Sequence, residues 1–157
     1  MKVILQNTIS LFAAACMCTA CNDGSIAEAQ RLIHPSGWHK DSIVTIALPL
    51  TDTVHYYDMI LTLRHDDDYP YNNLILSVAA TAPSGVTACD TVEYRLTDER
   101  EVWTGKRGGR WFDTRLGFRH RVRFTQSGLY TFTIAHLMRH ETLPSVGAVG
   151  MRIEPTE

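Results

Sequence analysis

The chain has 157 residues, 45% hydrophobic, 20% charged and 9% aromatic, and its 15 Lys and Arg against 17 Asp and Glu give a net charge of -2. These values exclude a disordered, collagenous, coiled-coil or multi-span membrane chain. The missing basic excess argues against a nucleic-acid partner, which would need cations to neutralise phosphates. The length suits one domain around one core.

Met1-Lys2 supplies a short basic end, and Val3 to Ala15 is apolar apart from Gln6, Asn7, Thr8 and Ser10. That run is too short to cross a bilayer, which takes about 20 residues. With the small residues that follow, it reads as an export signal over residues 1–20. Cys21, after Thr19-Ala20 and before polar Asn22-Asp23-Gly24-Ser25, stands where a bacterial lipobox places the cysteine that takes diacylglycerol and becomes the mature N-terminus. Cys16, behind three alanines, is a competing cut site, and both stay open. Cleavage before Cys21 leaves only Cys21 and Cys89, so a lipidated Cys21 leaves no disulfide. Residues 21–41 are expected to be a lipidated tether, with a helical turn or stalk over 26–33, and residues 42–157 the folded domain.

From Ser42 onward the period is two. Val44, Ile46, Leu48 and Leu50 alternate with Thr45, Ala47 and Pro49; Tyr57, Met59, Leu61 and Leu63 follow, then Leu74, Leu76 and Val78, and Val92, Tyr94 and Leu96. Phe118, Val122 and Phe124 oppose Arg119, Arg121 and Arg123, and two further runs cover Tyr130 to Ile134 and Val149 to Ile153. One apolar and one polar face per run is the mark of antiparallel sheets. Turn residues separate the runs, as in His65-Asp66-Asp67-Asp68, Pro83-Ser84-Gly85, Lys106-Arg107-Gly108-Gly109 and Gln126-Ser127-Gly128. The fold class is all-β: a single antiparallel β-sandwich, jelly-roll or Ig-like.

Few local features carry chemistry. The acidic turn at residues 65–68 gathers oxygen ligands, but it lacks the alternating spacing of a calcium loop and reads as a solvated turn. His136 and His140 lie four apart, yet on a strand pattern they read as surface histidines rather than zinc ligands. Cys89 has no nucleophile motif around it and reads as a weakly buried structural thiol. Arg119, Arg121 and Arg123 share one strand face and are the candidate contact for a partner or an anion, with Lys106, Arg107 and Arg110 adding basic surface. Trp38, Trp103 and Trp111 either fill the core or stack against sugars. Gly105 and Gly128 suit turns with positive φ. Asp90 is a candidate ion-pair partner for Arg139 or Arg152. No metal, no cofactor and no catalytic residue are expected.

Several elements in order carry a family likeness: Cys21-Asn22-Asp23, Gly37-Trp38-His39-Lys40-Asp41, Tyr69-Pro70-Tyr71-Asn72-Asn73-Leu74, Asp90-Thr91-Val92-Glu93, Trp103-Thr104-Gly105, Met138-Arg139 and Val149-Gly150-Met151-Arg152-Ile153. Together they resemble the gliding-motility-associated lipoprotein H family (GldH) of the Bacteroidetes. Two departures are Cys18 in the lipobox and the charged Asp98-Glu99-Arg100-Glu101, where a glycine-containing turn is expected. The resemblance implies a non-enzymatic lipoprotein of the cell envelope, at the outer membrane, joined to the membrane through Cys21. It also implies envelope protein partners in a gliding or type IX secretion assembly. A glycan-binding module at the cell surface is the alternative, favoured by a flat, exposed pair of tryptophans.

Overall fold

A computed structural model describes residues 25–156. Eleven strands run through them: β1 (Ala27–Leu32), β2 (Trp38–His39), β3 (Val44–Leu50), β4 (Tyr57–Asp66), β5 (Asn73–Thr81), β6 (Thr87–Arg95), β7 (Lys106–Gly108), β8 (Trp111–Val122), β9 (Gly128–His136), β10 (Thr142–Leu143) and β11 (Val146–Pro155). One sheet has the order β1-β11-β4-β8-β7 and the other β3-β9-β5-β6, all neighbours antiparallel, with β2 and β10 forming a small separate pair.

Setting the short β2, β7 and β10 aside, the long strands, taken in chain order, stand first-last-third-sixth in one sheet and second-seventh-fourth-fifth in the other. That is the jelly-roll order rather than the Ig-like one. Every link between consecutive long strands crosses from sheet to sheet except the β5–β6 hairpin.

The period-two pattern sets which side chains face inward. Val44, Ile46, Leu48 and Leu50 of β3, Leu74, Leu76 and Val78 of β5, Phe132 and Ile134 of β9, and Met151 and Ile153 of β11 meet in one core. Pro49 donates no ladder bond, which is harmless because β3 is an edge strand and Pro49 points outward. On the open side of the sandwich β6 is stitched to β8: the Tyr94 hydroxyl donates to the Gly117 carbonyl at 2.9 Å, and Arg119 pairs with Asp90.

Two expectations need correction. Residues 27–32, placed in the tether as a helical turn or stalk, form β1, paired along its whole length with β11 from Ala27 opposite Ile153 to Leu32 opposite Ala148. The exposed edge of β11 offers a ladder that a six-residue helix cannot match. Asp90, offered to Arg139 or Arg152, pairs instead with Arg119. Cys21 lies outside the described residues.

The jelly roll sorts the loops into two ends. β1 begins beside the end of β11, the start of β4 and the end of β8. This entry end carries the loops 51–56, 82–86 and 123–127. The far end, where β1 finishes, carries the β2–β10 pair and the segments 67–72, 96–105 and 137–145. Among the described residues no helix is long and apolar enough to cross a membrane.

Candidate functional site

All three tryptophans gather at the far end, each for a local reason. Trp38 sits on β2, 1% exposed, where its indole N–H donates to the Ser42 carbonyl at 2.8 Å. His136 at the end of β9 meets the Trp38 carbonyl through Nε2 at 2.9 Å and lies edge-on to the indole at 5.1 Å between ring centres. Trp103, half-buried, bridges to Thr97 and packs edge-on against His65 at 4.6 Å, with Tyr69 and Phe112 completing the group. The Tyr69 hydroxyl donates to the Asn73 carbonyl at 3.0 Å, which ties the Tyr69-Pro70-Tyr71 entry to the start of β5. Tyr71 reaches His140.

Burial governs the titration of this cluster. It pushes His65 and His136 below the ordinary histidine range, against weaker opposing hydrogen bonds and charges, so both are held neutral. It pushes the Tyr69 phenol far upward.

Beside the aromatic cluster lies a groove of about 480 Å³ walled by Leu32, Ile33, Pro35, Trp111, Pro144, Val146 and Gly147, with Asp66 and Arg110 at one side. Asp66 ends β4 with its side chain 4% exposed. It accepts from Arg110 at 2.5 Å and from the Asp68 backbone N–H at 3.0 Å, and Ser145 adds a side-chain bond. Burial pushes its carboxyl up, but these bonds outweigh it and leave the group below its usual value. The Arg110 guanidinium in turn covers the Trp111 ring at 5.4 Å. Arg107 meets Asp67 at 3.0 Å and covers Phe112 at 5.2 Å.

The basic turn and the acidic turn are therefore one structure. Lys106-Arg107-Gly108-Gly109-Arg110 folds over Asp66-Asp67-Asp68, and its two arginines are taken up there rather than adding to a basic surface. Among the described residues no three His, Cys, Asp or Glu side chains come together to hold a metal ion.

Other expected site residues fall differently. His136 and His140, read as surface histidines, are not alike: His136 is buried under Trp38 and His140 is exposed. Cys89, read as weakly buried, is exposed on the edge strand β6, its sulfur 3.6 Å from the Ser77 hydroxyl. Gly105 owes its place to crowding rather than to positive φ, since a Cβ there would stand 2.4 Å from Thr114 Oγ1. Gly128 does hold φ +147. The charged 98–101 segment makes its turn without glycine: Asp98 Oδ1 accepts from the Arg100 and Val102 backbone N–H groups, and Glu101 takes φ 61.

Arg119, Arg121 and Arg123 lie at the entry end, and they do not form one stripe. The β4–β8 register shifts twice, between Tyr57 and Met59 and between Met59 and Ile60, and Arg121 takes φ 53 inside that bulge. Arg119 is held by Asp90, Arg121 covers the Tyr56 ring at 5.3 Å, and Arg123 lies beyond the end of β8. His120, at 2.8 Å from Asp58, belongs to the same bulge.

Comparison with known proteins decides the family. The family model described as GldH lipoprotein matches residues 25–153. This chain belongs to the GldH lipoprotein family. It is 32% identical over 157 aligned residues to the gliding motility lipoprotein GldH of Flavobacterium johnsoniae, covering 96% of this chain and 97% of that one. It is 31% identical over 146 residues to the gliding motility lipoprotein GldH homolog of Christiangramia forsetii, covering 88% and 89%. Among solved structures, a carbohydrate-binding module specific for non-crystalline cellulose aligns over 82% of this chain and 70% of its own, at TM-score 0.42 and 9% identity, too low to carry an argument. Within this GldH-family domain no flat, exposed tryptophan pair exists: Trp38 is buried, Trp103 is packed among rings, and Trp111 lies under Arg110 and against Gly147.

No local pattern in the chain marks the groove. Its walls come from β1, the β9–β11 segment and β8, more than a hundred residues apart at the extremes. The one available signal was the matched pair of an acidic turn and a basic turn, 44 residues apart at Asp66 and Arg110.

Proposed function

We propose that this protein is a gliding-motility lipoprotein of the outer membrane, held to lipid through Cys21, which works without catalysis by presenting its far end to an envelope protein. The observation that carries the reading is the opposition of the two ends. The chain coming from Cys21 joins the sandwich at the entry end, where Ile26 N–H donates to the Ile153 carbonyl, and the groove around Trp111 opens at the other. Family membership and the names of both relatives support the lipid anchor and the motility role. The absence of catalysis is supported by the site itself. Two of its histidines, His65 and His136, are buried among rings, and a third, His140, is taken up by the Tyr71 hydroxyl.

The groove has the composition of a protein contact: an aromatic and aliphatic floor with one arginine–carboxylate pair at its rim. The test places a photo-reactive amino acid at Leu32, 81% exposed on the groove wall, in the full-length protein in its own envelope. One discrete protein adduct is expected from Leu32, none from a control at Thr91 on β6, and loss of the adduct in Arg110→Glu. Equal labelling from both positions overturns the far-end contact. Palmitate labelling of wild type, Cys21→Ala and Cys16→Ala tests the anchor, and label that survives Cys21→Ala overturns it.

A further inference from the structure

We propose that the entry end of the sandwich rests on an anionic phospholipid surface, so that the domain stands on the membrane with its groove pointing away from it. The inference deepens the reading of Cys21 as the lipid-bearing residue and rests on it. Three residues lie between Cys21 and Ser25, so the lipid-bearing residue is within about 14 Å of the described domain, the reach of four fully extended residue steps. β1 enters the sheet opposite Ile153, whose partner on β4 is Met59, and the Tyr56 carbonyl accepts from Thr156 just beyond. The loops of this end are therefore the part of the domain nearest the bilayer.

Those loops carry interfacial side chains. Val54 in the 51–56 loop is 71% exposed, Val86 in the 82–86 loop 69% and Leu129 at the start of β9 55%, and Tyr56 adds a half-exposed ring. Tyrosine and isolated apolar side chains beside cations suit the level of lipid headgroups. Charge points the same way. Among the described residues the carboxylates of this end are engaged within the protein: Asp52 by the Val54 and His55 N–H groups, Asp58 by the Arg121 N–H, Thr156 and His120, and Glu154 by Arg115 and Arg152. Arg121, whose guanidinium lies over Tyr56, and Arg123 have no carboxylate partner among the described residues and are both exposed. The bulge in β8 is what turns them to this end rather than leaving them on a sheet face. Each arginine near an anionic surface raises the docked-to-undocked ratio about fivefold. The acyl anchor keeps the protein on the membrane, and the loops set its orientation.

The experiment uses the full, lipidated chain with Cys89→Ser, reconstituted in vesicles of phosphatidylcholine with a minor share of phosphatidylglycerol. A fluorophore is attached to a single cysteine introduced by Val54→Cys, Leu129→Cys or, at the far end, Leu137→Cys. Brominated lipid is expected to quench the label at 54 and 129 but not at 137. Quenching is expected to be lost in Arg121→Glu/Arg123→Glu, whose thermal melt and flotation match the parent. Protein that floats with the vesicles yet shows no quenching at 54 and 129 overturns the docking while leaving the anchor intact. Quenching that persists in the double variant overturns the role of the two arginines. Protein that does not float overturns the Cys21 reading and the docking with it.

Discussion

Arg152 of β11 and Glu28 of β1 meet at 2.6 Å, with the Arg152 side chain only 7% exposed. The same guanidinium reaches Glu154 through Nε at 2.9 Å. It lies on the sheet face away from the core, since its neighbours Met151 and Ile153 point inward. This pair fastens the first strand of the domain to the last, 124 residues later. Removing one member of a buried ion pair is costly, but Glu28 and Glu154 remain partly solvated. Arg152→Met is therefore expected to cost about 1–3 kcal/mol, below the range for a fully buried pair. Urea denaturation reads the loss, and hydrogen exchange should quicken in β1 while β9 is unchanged. Unaltered exchange in β1 would refute the fastening role.

Two glycines on that outer face should behave oppositely. A Cβ at Gly150 would stand 2.3 Å from Thr62 Oγ1 and 2.8 Å from the Ala29 carbonyl oxygen, a backbone atom that cannot step aside alone. A Cβ at Gly117 meets nothing within 4 Å. Gly150→Ala is expected to destabilise by about 1–3 kcal/mol through overpacking against β1, and Gly117→Ala to be close to neutral. The comparison of denaturation midpoints checks both.

Acid should weaken the domain before it titrates the carboxylates. His65 and His136 have pKa values lowered by burial, so between those values and the unfolded value near 6.5 the unfolded chain binds protons that the native chain refuses. Stability is thus full above about pH 6.5 and falls as the pH drops below it, by up to about 1.4 kcal/mol per pH unit for each histidine. His136→Gln is expected to flatten that slope in urea melts between pH 5 and 7, a window chosen around the ordinary histidine pKa. An unchanged slope would show that His136 titrates freely.

Alkali acts through Tyr94. Burial pushes its phenol up to about 12. The unfolded chain therefore releases this proton first, and stability falls as the pH rises through the unfolded value near 10. Spectrophotometric titration should find Tyr94 among the late tyrosinates, with the still more deeply buried Tyr69 later, and Tyr94→Phe should reduce the late step by one phenol. The same change deletes the bond to the Gly117 carbonyl at 2.9 Å, with an expected cost of about 1 kcal/mol.

What the amino-acid order specifies locally follows from short-range physics. Inward and outward side chains alternate on a pleated strand, so the residues of β3, β5 and β9 declared their faces directly. The reading stopped where alternation stopped. Arg119, Arg121 and Arg123 look like one face, but the two register shifts against β4 insert a bulge that no spacing announces. Ala27-Glu28-Ala29-Gln30-Arg31-Leu32 has helix-favouring residues. It is a strand because β11 presents an open ladder and Arg152 a charge for Glu28.

The sequence by itself determined an all-β domain, the faces of its long strands and, through ordered motifs, its family. Only the tertiary structure decided that the arginines of the 106–110 turn belong to the acidic turn at 66–68, that the tryptophans meet at one end, and that the chain enters at the other. Pairing between strands far apart in the chain is chosen by the competition of all edges and faces at once, and no local pattern records its outcome.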